Sequence, residues 1–90
     1  MNEERIERIR NLLETELKPD LLEIVDESHL HEGHAGAKSG MGHFRVKIIA
    51  ERFQGTSPLE RHRIVYDALG DMMLTDIHAL SITALAPESA

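Results

Sequence analysis

Residues 28–42 place the strongest limit on how this chain can fold. Their sequence, SHLHEGHAGAKSGMG, contains four glycines and three histidines and almost no large apolar side chain. A segment of this composition cannot bury one face of a helix or strand, so we expect a long loop. In a small domain, a loop of this length is typically functional or mobile. The regular elements must therefore lie on either side of it.

Two elements are predicted before the loop. Residues 3–17 carry apolar side chains at helical spacing, which predicts an amphipathic helix that Pro19 ends. The apolar stripe consists of Ile6, Ile9, Leu12, Leu13 and Leu17. Residues 21–27, with Ile24 and Val25 at their centre, predict a short strand at a sheet edge.

Two alternating segments after the loop, residues 43–50 and 78–85, predict further strands. In the first strand, the inward set is Phe44, Val46, Ile48 and Ala50, and the outward set is His43, Arg45, Lys47 and Ile49. In the second strand, one face is shared by His78, Leu80, Ile82 and Ala84. The alternation therefore predicts that His78 lies on the face turned toward the core.

A helix is predicted between these strands, and it opens with the sequence Ser57-Pro58-Leu59-Glu60. Serine suits the N-cap, proline the first helical position and glutamate the third, which together form a capping box. The helix is expected to run to about Met73, and Gly70 predicts a break with a short second helix after it. Its predicted inner stripe consists of Leu59, His62, Val65, Tyr66, Leu69, Met72 and Met73.

The element order is thus α-β-β-α-α-β within a single domain, residues 1–90. The first two strands follow each other through a loop, so we expect them to be antiparallel. The last two flank a helical crossover and should pair in parallel. The predicted fold class is α+β, a three-stranded mixed sheet with helices on one face.

The balance of charge argues against nonspecific coating of nucleic acid. Ten Lys and Arg residues against sixteen Asp and Glu residues leave a net charge of −6. Any nucleic-acid binding must therefore come from a local basic patch. The candidate patch consists of Arg52, Arg61, His62 and Arg63, with Arg45 and Lys47 from the strand. The alternative is a solvated helix face on which Arg61 and Arg63 pair with Glu60 or Asp67.

The residue content also bounds the chemistry. Cysteine is absent, which excludes disulfides, a thiol nucleophile and any thiolate metal site made by this chain alone. There is no run of about eighteen apolar residues and no apolar signal-peptide core, so we expect no membrane span and a cytoplasmic location. No common catalytic motif is present, and Ser57 is explained as a cap, so we predict that the protein is not an enzyme.

Histidine supplies the candidate metal ligands. His29, His31 and His34 lie in the loop, and His78 lies at the start of the last strand. Imidazole is a common metal ligand, and a loop histidine can move to meet one that a strand holds fixed. The alternatives are a solvated loop and, for His78, a core histidine bonded to a backbone carbonyl.

Four strings resemble the BolA-like proteins over residues 5–88: VDESHLHEGHAG, GHFRVKIIAERFQG, SPLERHRIVYDAL and IHALSITALAPE. The most specific matches are Arg61-His62-Arg63-x-Val65-Tyr66, His78-Ala79-Leu80 and His43-Phe44-x-Val46. The resemblance implies a fold related to the class II KH domain, which agrees with the element order above.

The resemblance also implies a partner, a monothiol glutaredoxin, and a two-iron, two-sulfur (2Fe-2S) cluster shared by both proteins. The glutaredoxin cysteine and glutathione would supply thiolates, and this chain would supply histidine. It assigns one ligand to His78 and the other to His34, with His31 as the fallback. Histidine in place of cysteine raises the potential of such a cluster. No cofactor is expected on the chain alone.

Two other functions stay open at this point. Some BolA-like proteins are described as DNA-binding transcriptional regulators, which would assign DNA contacts to Arg52, Arg61, His62, Arg63 and Lys47. A histidine-rich zinc buffer is the third possibility, and it would depend on the loop histidines rather than on His78. The free protein is expected to be a monomer, with a dimer as the alternative.

Overall fold

The computed structural model describes residues 2–28 and 41–89. The elements are α1 (Asn2–Leu17), β1 (Leu21–Asp26), β2 (Gly42–Ile49), α2 (Pro58–Leu69), α3 (Met72–Thr75) and β3 (Ile77–Leu85). Short 3₁₀ turns cover Glu51–Phe53 and Pro87–Ser89. This order confirms the predicted one, including the break at Gly70 between two helices. Within the described ranges, no helix combines the length and apolarity that a membrane span requires.

The sheet has the predicted arrangement. Its strand order is β1-β2-β3, with β1 and β2 antiparallel and β2 and β3 parallel. α1 packs against α2 and β1, and α2 packs against β3. The inward side chains of β2, among them Phe44, Val46 and Ile48, are buried together with Ile9 and Leu13 of α1. The core therefore lies between the helices and one face of the sheet.

The inner stripe predicted for α2 is partly wrong. Leu59 is 61% exposed, Tyr66 is 39% exposed, and His62 is also exposed. The buried or partly buried apolar residues of this helix are instead Ile64, Val65, Ala68 and Leu69. The helix is therefore rotated by about one residue, roughly 100°, relative to the predicted stripe.

A hydrogen-bond network of Arg61 fixes this rotation. The guanidinium donates from Nε to Thr56 Oγ1 at 3.0 Å and from Nη1 to the Ala84 carbonyl at 2.9 Å. Arg61 is thus half-buried, at the position on the helix where the predicted inner stripe placed His62. The capping box at the start of the helix is present as predicted, with both reciprocal hydrogen bonds between Ser57 and Glu60.

Asp76 joins three elements just before β3. Its Oδ2 lies 3.1 Å from Arg5 Nε and 3.1 Å from Arg8 Nη1, both on α1. Its carbonyl accepts a hydrogen bond from the Gly42 N–H of β2 at 2.9 Å. A hydrogen bond from the Thr75 hydroxyl, followed by the nearby Arg5 and Arg8, lowers the pKa of Asp76 below its ordinary value of 3.8.

We predict that Asp76→Asn lowers the free energy of unfolding by about 0.5–1 kcal/mol near neutral pH, because two partly exposed ion pairs are lost. The lowered pKa means that the folded state favours the ionised carboxylate. Its stabilisation is present above the ordinary value of 3.8 and is lost as pH falls through the folded-state pKa. Urea unfolding of both proteins across this range measures the difference.

The matched control is Asp67→Asn, which removes an exposed carboxylate from α2. A stability loss for Asp76→Asn that persists unchanged at strongly acidic pH would show that the carboxylate charge is not the cause.

Candidate functional site: a histidine pair at a β-bulge

The ladder between β2 and β3 contains one irregularity. Gly42 pairs with Ile77, and the next residue of β2, His43, pairs with Ala79. His78 is therefore an extra residue on β3 between two successive pairs, which is a β-bulge. Bulges of this kind change the direction of a side chain and are common beside functional sites.

The bulge corrects the predicted position of His78. Beyond the bulge, Leu80, Ile82 and Ala84 are partly buried against the core, as the alternation predicts. Before it, Ile77 takes the inward position at 1% exposure, and His78 is exposed. The extra residue reverses the alternation, so His78 does not face the core. The alternative of a core histidine bonded to a carbonyl is excluded for the same reason.

Gly42 makes room for the neighbouring ring at this point. A Cβ on Gly42 would lie 2.5 Å from Cε2 and 2.6 Å from Cζ of Phe44, closer than such atoms approach. The Phe44 ring, which is 2% exposed, therefore occupies the space beside the glycine. The Gly42 backbone remains close to Asp76, to which it donates the hydrogen bond described above.

His43 is the site residue that sequence reasoning missed. Alternation puts it in the outward set of β2, where exposure is expected, but it is only 5% exposed. Its ring centroid lies 5.0 Å from that of His78, and the two ring planes are tilted by 52°. The only sequence signal for a special role was its place in the matched string His43-Phe44-x-Val46.

Hydrogen bonds from the end of β1 hold the backbone of His43. Its N–H donates to Ser28 Oγ at 3.0 Å, and its carbonyl accepts from the Glu27 N–H at 2.8 Å. The Ser28 N–H in turn donates to Asp26 Oδ1 at 2.8 Å. The described part of the chain before the loop thus ends in direct contact with His43.

The loop histidines lie outside the described residues. His29, His31 and His34 belong to residues 29–40, so the assignment of His34 or His31 as a ligand stays a prediction. The described chain stops at Ser28, which contacts His43, and resumes at Met41, next to Gly42. Within residues 2–28 and 41–89, no group of three or more His, Asp or Glu side chains could hold a metal ion.

A cavity of about 240 Å³ adjoins the buried member of the pair. Its lining residues are Glu27, His43, Phe44, Ala79, Leu80 and Ser81. At its edge Glu27 Oε2 lies 2.8 Å from Arg45 Nη2, so this ion pair connects β2 with the segment that follows β1. The cavity and the ion pair both lie around the end of the sheet that carries the histidine pair.

The candidate DNA-contacting residues do not form one surface. Lys47 alternates with buried Val46 and Ile48 and is exposed on the sheet face opposite the helices. His62 and Arg63 are exposed on α2, and Arg52, also exposed, borders a cavity lined by residues of α1 and α2. The guanidinium of Arg61 donates to Thr56 and Ala84, and its side chain is half-buried. The sheet therefore separates Lys47 from the other candidates.

We predict that His78→Ala changes the free energy of unfolding by no more than about 0.5 kcal/mol, because the side chain is exposed. Ile77→Ala should cost about 2–5 kcal/mol, because Ile77 is buried at the same bulge. Chemical denaturation of the two variants measures both values. If His78→Ala lowered the free energy of unfolding as much as Ile77→Ala does, His78 would have to be buried in the core.

Comparison with known proteins identifies the family. The family model described as BolA-like protein matches residues 13–89. SufE-like protein 1, chloroplastic/mitochondrial, of Arabidopsis thaliana is 45% identical over 85 residues, which cover 89% of this chain and 23% of that protein. The DNA-binding transcriptional regulator BolA of Escherichia coli is 41% identical over 76 residues, which cover 84% of this chain and 70% of that protein.

Solved structures agree with the sequence matches. The BolA domain of SufE1 from Arabidopsis thaliana superposes with a TM-score of 0.85 at 43% identity, covering 96% of this chain and 95% of that one. The chain spans 23% of the full SufE-like protein, and 56% and 57% of the BolA-named relatives from mouse and Arabidopsis. Sequence and fold together show that this chain belongs to the BolA-like protein family.

Proposed function

We propose that this chain partners a monothiol glutaredoxin and supplies histidine to a 2Fe-2S cluster that the two proteins share. Its role would lie in iron–sulfur trafficking or iron-linked regulation. The observation that carries the proposal is the exposed imidazole of His78, which the bulge turns out of the core. An exposed ring on a paired strand is within reach of a partner and needs no unfolding to meet it.

The residue content fits a shared site. Protein 2Fe-2S clusters are held by thiolates, or by thiolates together with imidazoles. This chain has no cysteine, so its contribution is imidazole, and the thiolates come from the glutaredoxin and glutathione. The bound cluster would supply one-electron chemistry at a potential that the imidazole raises. The task of this chain is to hold His78 in place and accessible.

The position of the loop ends supports a second histidine ligand. Ser28 and Met41 bracket residues 29–40, and both lie at the end of the sheet that carries the pair. Ser28 is anchored there by the hydrogen bond that its hydroxyl accepts from the His43 N–H. The segment that would carry the second ligand is therefore attached at Ser28, close to the bulge. His34 is the proposed second ligand, with His31 as the fallback.

The test is anaerobic reconstitution of the chain with a monothiol glutaredoxin and glutathione, followed by size-exclusion chromatography and visible spectroscopy. We expect a cluster-bearing heterodimer with a histidine-perturbed spectrum. His78→Ala should lose this spectrum, because the exposed ligand is gone. His62→Ala, which removes an exposed imidazole from α2, is the matched control and should retain it.

Two results would contradict the proposal. One is a His78→Ala heterodimer whose cluster spectrum is unchanged. The other is a glutaredoxin that keeps its own all-thiolate cluster homodimer when the wild-type chain is present.

DNA binding is the second candidate function, and one relative favours it. The Escherichia coli relative is named a DNA-binding transcriptional regulator. Of the candidate DNA contacts, Arg52, His62 and Arg63 are exposed. A net charge of −6 and the separation of Lys47 from these residues both limit the size of a basic surface. We therefore rank DNA binding below the cluster proposal.

If these exposed residues bind DNA, Arg52→Ala and Arg63→Ala should each weaken binding to all sequences about equally. Each should reduce the salt slope of the affinity by about one, because one phosphate contact is lost. Lys47→Ala, on the opposite face, is the control and should change neither. Gel-shift titrations at several salt concentrations measure both quantities, and the absence of any shift at low salt would end this candidate.

A further inference from the structure

We infer that His43 is a positioning residue, whose buried ring fixes the direction in which the His78 imidazole leaves the sheet. The functional consequence rests on the proposed cluster role of His78. The ring contact itself is a property of this chain alone and can be tested without any cluster.

The bulge exposes His78 and leaves it without a partner residue in the ladder. A bulge residue has no cross-strand partner in the ladder, and an exposed histidine ordinarily samples several staggered χ1 wells. Fixing such a side chain during binding costs conformational entropy. A ligand that is already held in one orientation avoids this cost, so a neighbour that holds His78 has a direct effect on binding.

His43 has the contacts that this role requires. The ring centroids of the two histidines are 5.0 Å apart with a tilt of 52°, within the range in which aromatic pairs attract each other. His43 is 5% exposed, so the surrounding protein limits the positions that its ring can take. Its backbone is fixed by hydrogen bonds with Ser28 and Glu27.

The two histidines have different exposure and therefore different roles. The exposed ring of His78 is the one that a partner can reach, and the buried ring of His43 is the surface against which it rests. The geometry thus makes the shape of the His43 ring the important property. Its nitrogens are not required as ligands.

Two substitutions separate ring shape from ring nitrogens. His43→Phe keeps an aromatic ring and removes both nitrogens. His43→Leu removes the ring and places an apolar side chain in the buried position. Phe53→Leu is the control for loss of a buried aromatic ring, because Phe53 is fully buried near the other end of β3. Thermal unfolding of the three variants gives the temperature range in which each one is folded, and the measurements below are made within that range.

The first measurement uses the chain without a cluster. Three-bond NMR couplings of His78 report its χ1 populations. We expect one dominant rotamer in the wild type, in His43→Phe and in Phe53→Leu. In His43→Leu the couplings should move to averaged values, because the ring that holds His78 is gone.

The second measurement uses the reconstituted heterodimer with glutaredoxin and glutathione. The visible circular dichroism and the reduction potential of the cluster should match the wild type in His43→Phe. Both should shift in His43→Leu, where His78 is present but no longer held.

Two outcomes would overturn the inference. In one, His43→Leu retains the wild-type rotamer of His78. In the other, His43→Phe loses the cluster spectrum as His78→Ala does, which would show that the His43 nitrogens are needed. A wild-type chain that forms no cluster would contradict the proposed function only, because the NMR couplings would still decide the role of His43.

Discussion

At the start of the ladder between β2 and β3, two successive residues of β2 pair with Ile77 and Ala79 of β3, so that His78 is an extra residue. The geometry of the candidate site depends on this β-bulge. Without it, strict alternation would turn His78 toward the helices and expose Ile77. With it, Ile77 completes the core and His78 is exposed beside the ring of His43. One inserted residue therefore converts a core position into a surface position while leaving the remaining pairs of β3 in register.

Contacts from several elements hold this irregular point in place. Asp76 connects the start of β3 to α1 through Arg5 and Arg8, and to β2 through the Gly42 N–H. On the other side, Ser28 connects the start of the long loop to the backbone of His43. The candidate site is thus held by contacts from elements that lie far apart in the sequence.

The sequence alone was sufficient to predict the features that depend on residues close together in the chain. Element order, strand directions and the Ser57–Glu60 capping box follow from periodicity, crossover length and local hydrogen bonding, and all are present. The errors concern non-local contacts. Alternation could not show the bulge at His78, and the stripe of α2 could not show that Arg61 bonds to Ala84. The proposed ligand role of His78 rests on the family resemblance, since spacing alone left a core histidine open as an alternative.

The central claim is that an imidazole of this chain binds iron because the bulge presents it. The most direct measurement is pulsed electron paramagnetic resonance of the reduced, cluster-bearing heterodimer, with ¹⁵N-labelled histidine in this chain only. The account predicts a nitrogen hyperfine coupling that changes with the label, and the part of it that arises from His78 should be missing in any cluster that His78→Ala still forms. A spectrum that shows no coupling dependent on the label would mean that the cluster has no histidine ligand from this chain, and the account would be wrong.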